Sequence, residues 1–379
     1  MKQLFFNLFR VFVQLSYKVS KPFIREENVI ISGYKARYLS GNNEYLFNYL
    51  EQIKPPFKYY FYTKDKKTYQ KLSKDFKGKI LYSFSFRTFI KVIKSKVIVI
   101  TTGPDDLSPF PLIPQKKIIN IWHGIPIKKV GYPSNSADIP KFKKFISAIN
   151  KFSVSAEFDG EIIKKAFRLT DDQIFISGLC KNDYINTNQE AFLKQHPYFG
   201  KKVIIYAPTF RDDDIDQPSI IDLFPLKKLN NLLEKYDAYF LIRNHFNTNE
   251  QQAIKGYGRI KSASAREFLD PQPLLYYSDI MITDYSGIYF DYLLMYRPII
   301  FYNYDFEIYS KKRDFLYNYE DNTPGPKVQT KDNLLKAIEE YLNKPKKDTD
   351  LRLIIQKRFH KYTDGKACER TYELIKELL

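Results

Sequence analysis

The stretch Ile118–Gly131, IINIWHGIPIKKVG, holds the residue types best suited to chemistry. A β-rich apolar run stops at Trp122-His123-Gly124, and Pro126, Lys128 and Lys129 follow. Strands of open α/β sheets point their carboxyl ends at ligands. His123 at such an end reads as a proton-transfer group facing a phosphate. Gly124 beside it lets backbone approach closely, and Lys128 and Lys129 attract anions. The competing reading is a histidine that closes a strand by hydrogen bonding. The chain has only four histidines, so each position carries weight.

Three further strand ends are polar. The first is Tyr206-Ala207-Pro208-Thr209-Phe210-Arg211-Asp212, the second Arg243-Asn244-His245, and the third Thr283-Asp284-Tyr285-Ser286-Gly287. A helix is predicted over Ile288–Met295, so Ser286 and Gly287 fall at its start, where free amides and the helix dipole favour an anion. The Thr283 and Ser286 hydroxyls add hydrogen-bonding capacity, while N-capping by Asp284 or Ser286 explains the same residues without a ligand. Asp212-Asp213-Asp214 is the nearest acidic cluster and reads as a solvated loop, so no metal ligand set is expected.

Alternating strands and helices must position these ends. Strands are predicted at Val29–Ser32, Lys58–Thr63, Ile80–Ser83, Val97–Thr101, Ile118–Trp122, Phe152–Ala156 and Ile174–Ser177. A polar joining segment, Lys181–Gly200, precedes Val203–Ala207, Tyr239–Arg243, Arg259–Ser262, Ile280–Thr283 and Ile299–Tyr302. Residues 331–379 look helical, with breaks near Lys344–Lys347 and Thr363–Gly365. The expected domains are an amphipathic segment 1–20, a Rossmann-like domain 21–190 and a second, 191–379. Ligands would sit where both sets of strand ends converge. No GxGxxG follows a strand and no Walker A sequence occurs, which removes the common dinucleotide and P-loop fingerprints.

A length of 379 residues suits two domains, and 44% apolar content is ample for burial. The net charge of +18 is uneven: Lys64–Lys96 holds eleven Lys or Arg against two Asp. Such a face suits an anionic membrane or a polyanionic substrate. Nucleic-acid binding through it would leave His123 and Thr283 without a use, and is not expected. Cys180 and Cys368 have no CxxC spacing and fit a reducing compartment. In residues 1–18, Gln3, Asn7, Arg10, Gln14 and Lys18 form a polar stripe beside Leu4, Phe5, Leu8, Phe9, Phe12, Val13 and Leu15. That pattern suits a helix lying in a membrane interface or a core helix of the first domain. No run is long enough to cross a bilayer.

Taken together, the chain resembles the CDP-glycerol glycerophosphotransferase family, whose members build or prime teichoic-acid-type and capsular poly(alditol phosphates). The residues that carry the resemblance begin with Ser32-Gly33, Gly41-Asn42, the run Trp122–Gly131, Gly178-Leu179-Cys180-Lys181-Asn182-Asp183 and Tyr206–Arg211. They continue through Arg243-Asn244-His245, Ser278–Gly287, Phe290-Asp291, Arg297-Pro298, Pro324-Gly325-Pro326 and Asp364–Arg370. The resemblance implies an α/β, GT-B-like fold, with two Rossmann-like domains facing across a central cleft. It implies transfer of an alditol phosphate from CDP-glycerol or CDP-ribitol to a lipid-linked or polymeric glycan acceptor, with release of CMP. A glycosyltransferase using a nucleotide sugar on the same fold is the alternative.

The implied catalytic pair is His123 and His245. Thr209, Arg211, Arg243, Thr283, Asp284, Ser286 and Gly287 would bind the donor, and Gly124, Lys128 and Lys129 the acceptor or its phosphate. No cofactor is expected to be required, a divalent cation being at most stimulatory. The expected location is peripheral, on the cytoplasmic face of an anionic membrane. Three positions depart from the family pattern: Ile125 stands where Thr is usual, Gly287 where a second Ser is frequent, and Lys181 where Arg is usual.

Overall fold

The computed structural model describes residues 2–23, 28–83, 85–113, 115–133, 139–186, 198, 200–209, 218–243, 248–264, 268 and 270–379. Its strands form two sheets, each parallel throughout. In the first sheet the strands are β1 (Asn28–Ile31), β2 (Lys58–Thr63), β3 (Ile80–Tyr82), β4 (Ser95–Ile100), β5 (Lys117–Asn120), β6 (Lys151–Val154) and β7 (Ile174–Ile176). In the second they are β8 (Lys202–Tyr206), β9 (Ala238–Ile242), β10 (Ile260–Ser262), β11 (Ile280–Thr283), β12 (Ile299–Tyr302) and β13 (Lys327–Val328).

The sequence dictates this parallel arrangement. Runs such as Val29-Ile30-Ile31 and Ile98-Val99-Ile100 are apolar at successive positions and buried on both faces, as strands covered by helices on either side must be. Spatial order is β3-β2-β1-β4-β5-β6-β7 in the first sheet and β10-β9-β8-β11-β12-β13 in the second. Each sheet therefore reverses its winding direction once, between β1 and β4 and between β8 and β11. A crevice opens at the carboxyl ends flanking such a reversal.

The chain divides into two compact units, residues 1–123, 131–183 and 361–379 in one, 124–130 and 184–360 in the other. This interleaving differs from the single crossing near residue 190 expected from sequence. The final helix, Ala367–Leu378, packs Leu374 and Ile375 with Leu46, Phe47 and Leu50 of helix Asn42–Ile53 against Val29, Ile31 and Val99. In the second unit Leu226, Leu229 and Leu233, spaced along one face of helix Leu226–Lys235, cover Ile204, Phe240 and Ile282. The predicted α/β architecture and its strands agree with the structure to within a few residues at each end; β13, only two residues long, escaped prediction.

Candidate active site

At the first reversal point the chain leaves β5 through Ile121 and Trp122 and reaches His123. Trp122 adopts φ 49°, in the left-handed region, a conformation that costs a non-glycine residue about 1–3 kcal/mol. Its ring lies 5.3 Å from Phe152 and 5.2 Å from Phe167, and 4.2 Å from the His123 ring. His123 Nδ1 is 3.1 Å from the carbonyl oxygen of Thr101, at the end of β4. A carbonyl only accepts, so Nδ1 carries the hydrogen, and a neutral ring keeps its lone pair on Nε2. His123 as a residue is exposed, yet surrounding protein desolvates its ring and holds its pKa below 6.5. The Thr101 carbonyl opposes that shift and the Lys181 ammonium adds to it.

Thr101 is itself fixed by Asp106, a fully buried carboxylate. Asp106 accepts hydrogen bonds from the backbone N–H of Thr101 (2.9 Å), Thr102 (2.7 Å) and Lys35 (2.8 Å), and from the Thr102 hydroxyl. Gly33, after β1, has no room for a side chain: a Cβ there would stand 2.0 Å from Asn43 Nδ2 and 2.3 Å from Thr101 Oγ1. Sequence reasoning did not assign roles to Asp106, Thr101 or Asn42. Asp106 and Thr101 were signalled only by position, just after strand ends, and Asn42 by its place at a helix start and within the Gly41-Asn42 pair.

At the second reversal point, Thr209 follows β8, and Thr283 to Gly287 close and follow β11. Thr209 is buried, and its hydroxyl has no hydrogen-bond partner among the described residues. Arg243, after β9, donates to the Phe268 carbonyl at 2.8 Å, and desolvation lowers its pKa, opposed by Asp270. Ser286 is half-buried, its Oγ 3.4 Å from the Ile288 amide. His245 and Arg211 lie outside the described residues, as does the acidic cluster Asp212-Asp213-Asp214.

Several expected contacts read differently in three dimensions. The Thr283 hydroxyl donates to the Ala207 carbonyl at 2.7 Å, leaving it lone pairs that an anion cannot use. Asp284 accepts from the amides of Thr209 (2.7 Å) and Tyr285 (2.6 Å) and is wholly buried; it braces the two strand ends together. The helix expected over Ile288–Met295 is only Ile288–Leu293, too short for much dipole, which weakens the case for an anion there. Gly287 lies in ordinary helical conformation, and the structure explains its identity by packing against the Ile125 carbonyl.

Gly124 opens the segment 124–130, which belongs to the second unit. Lys129 pairs with Asp314, whose carboxyl it holds below the usual range, so its charge is already partnered. Lys128 lies 5.8 Å above the Tyr309 ring and pairs its backbone with Phe315. Among the described residues, no three His, Cys, Asp or Glu side chains converge as a metal site would require.

Two doubly wound parallel sheets, one with an oriented imidazole at its reversal point and the other with hydroxyl and guanidinium groups, make this an α/β protein. Residues 13–377 match the family described as CDP-Glycerol:Poly(glycerophosphate) glycerophosphotransferase, and the chain belongs to that family of enzymes.

It is 29% identical to the teichoic acid poly(glycerol phosphate) polymerase of Bacillus spizizenii, over 84% of each chain. It is also 29% identical to the teichoic acid glycerol-phosphate primase of Bacillus subtilis, over 70% of this chain and 69% of that one. The teichoic acid ribitol-phosphate primase of Bacillus spizizenii is 27% identical over 94% and 92%. Among solved structures, the wall teichoic acid polymerase TagF superposes with a TM-score of 0.78 at 23% identity, over 97% of this chain and 93% of that one. A UDP-GlcNAc 2-epimerase from Neisseria meningitidis does so at 0.60 and 11%, over 92% and 99%. At these identities the structures speak for the fold alone.

Proposed function

We propose that this protein transfers an alditol phosphate, glycerol phosphate foremost, from a CDP-alditol to a hydroxyl of a lipid-linked or polymeric glycan, releasing CMP in the synthesis of a teichoic-acid-like polymer. The observation that carries the reading is the bond between His123 Nδ1 and the Thr101 carbonyl. It leaves a basic Nε2 at a reversal point in a chain of this family. Similarity to both glycerol-phosphate and ribitol-phosphate enzymes supports the CDP-alditol class.

In this reading His123 takes the proton of the acceptor hydroxyl, whose oxygen forms a bond to the β-phosphorus of the donor. The bond from that phosphorus to the bridging oxygen breaks, and CMP leaves with the electron pair. General-base assistance of this kind contributes roughly 10²–10⁴-fold. A pKa held below 6.5 keeps the imidazole unprotonated at neutral pH. In this reading the Ser286 hydroxyl and the Arg243 guanidinium meet the donor phosphates, with Thr209, Arg211 and His245 completing the proposal. No step calls for a metal ion.

The helix Lys2–Ser20 supports attachment to a membrane surface. Val13 and Tyr17 are buried, whereas Leu8 (61%), Phe12 (57%) and Leu15 (57%) are exposed, and Phe86 of a neighbouring helix is exposed beside Phe89 and Phe12. No helix among the described residues is long and apolar enough to cross a membrane.

A donor screen tests the function. Purified protein is incubated with CDP-glycerol, CDP-ribitol or UDP-GlcNAc and a lipid-linked glycan acceptor, and the released nucleotide and product mass are measured. CMP with a CDP-alditol, and a product heavier by one or more alditol phosphates, is expected. UDP release with sugar transfer would replace the proposal by the glycosyltransferase reading.

A further inference from the structure

Asn42 is almost wholly buried in the first turn of helix Asn42–Ile53. Its carboxamide ties together three places along the carboxyl edge of the first sheet. Nδ2 donates to the carbonyls of Ile121 and Trp122, each at 3.0 Å. Oδ1 accepts from the backbone N–H of Lys181 at 3.0 Å. Those two carbonyls belong to the residues immediately before His123, and Trp122 is the residue held at positive φ. A backbone in that region persists only when its surroundings over-determine it. The Asn42 carboxamide supplies part of that determination from a different segment of the chain. Lys181, placed by the same side chain, donates from Nζ to the His123 carbonyl at 3.3 Å.

We propose that Asn42 is the positioning residue for His123. It clamps the Ile121–Trp122 turn and the Lys181 amide, so that Nδ1 stays on the Thr101 carbonyl and the lone pair stays on Nε2. The inference rests on the reading of His123 as the base and names what holds that base in its working tautomer. A carboxamide suits the task because it offers donor and acceptor in one rigid plane. An aspartate of the same shape keeps the acceptor for Lys181 but turns a carboxylate oxygen towards two carbonyls.

The test uses the full chain labelled with ¹⁵N-histidine, together with Asn42→Asp, Asn42→Ala and His123→Ala. With four histidines in the sequence, the signal lost in His123→Ala identifies His123. In the unsubstituted protein the neutral ring is expected to be protonated at Nδ1. Both Asn42 variants should shift the ring towards a mixture of tautomers and lower kcat by on the order of 10²-fold, the cost of a small misplacement of a reacting group. The KM for CDP-alditol should stay unchanged. Asn42→Asp is isosteric, and its melting curve verifies that the fold is kept if Asn42→Ala does not fold. An unchanged Nδ1-protonated ring with unchanged kcat in a folded Asn42→Asp overturns the proposal. If His123→Ala retains normal turnover, the catalytic reading fails instead, and the tautomer signal still judges Asn42 separately.

Discussion

The carbonyl oxygen of Ile125 stands 2.4 Å from where a Cβ on Gly287 would lie. Residues 125 and 287 therefore pack backbone against backbone. The segment 124–130 is further fixed by the Leu316 amide on the Ile127 carbonyl (3.0 Å) and the Tyr317 hydroxyl on the Pro126 carbonyl (3.0 Å). With that backbone held, residue 287 has room for hydrogen and nothing larger.

Gly287→Ser should accordingly destabilise the protein by about 1–3 kcal/mol, the usual cost of overpacking. Thermal unfolding of the two proteins measures it. An unchanged melting temperature would show that the 124–130 segment yields freely.

Lys181→Met should move the acid limb of the pH–rate profile to higher pH. In the proposed role as base His123 works only when neutral, so turnover should rise with pH through its pKa, which lies below 6.5. The Lys181 cation disfavours the imidazolium and contributes to that depression; removing it raises the pKa. The profile of kcat/KM between acid and neutral pH is the measurement, and a limb that stays put or moves down contradicts the assignment.

Asp159→Asn should stabilise the first unit at neutral pH and remove a pH dependence. Asp159 is buried and accepts one bond, from the Ser155 amide at 3.0 Å. Burial raises its pKa from 3.8 to about 7. The folded state thus binds more protons than the unfolded state between these values. Its stability declines as pH rises through that window, by on the order of a few kcal/mol. Denaturant unfolding at several pH values, with and without the substitution, should show the decline only in the unsubstituted chain.

Leu8→Glu, Phe12→Glu and Leu15→Glu together should abolish sedimentation with anionic vesicles while leaving the melting temperature nearly unchanged, because these side chains are exposed. Vesicle binding equal to that of the unsubstituted chain would remove the membrane reading.

Much of this was legible along the chain. β-branched runs such as Ile98-Val99-Ile100 favour buried strands, and a strand that ends in Trp122-His123-Gly124 places the histidine at its carboxyl end. The polar residues nearby were harder. Thr283 and Lys129 each look available for a phosphate, but Thr283 bonds to Ala207, 76 residues away, and Lys129 to Asp314, 185 residues away. Asn42 showed the opposite error: it carried no assigned role, yet it meets Ile121 across 79 residues.

The amino-acid order by itself determined the parallel α/β units, the family and the strand end on which His123 sits. Apolar periodicity and burial on both faces are properties of short segments, and short segments are what a sequence displays. Only the tertiary structure decided which polar groups have their protons or charges committed inside the protein, which residue holds the turn before His123, and to which unit residues 124–130 and 361–379 belong. A hydrogen bond is settled by whichever partner folding brings within about 3 Å, and those partners come from distant parts of the chain.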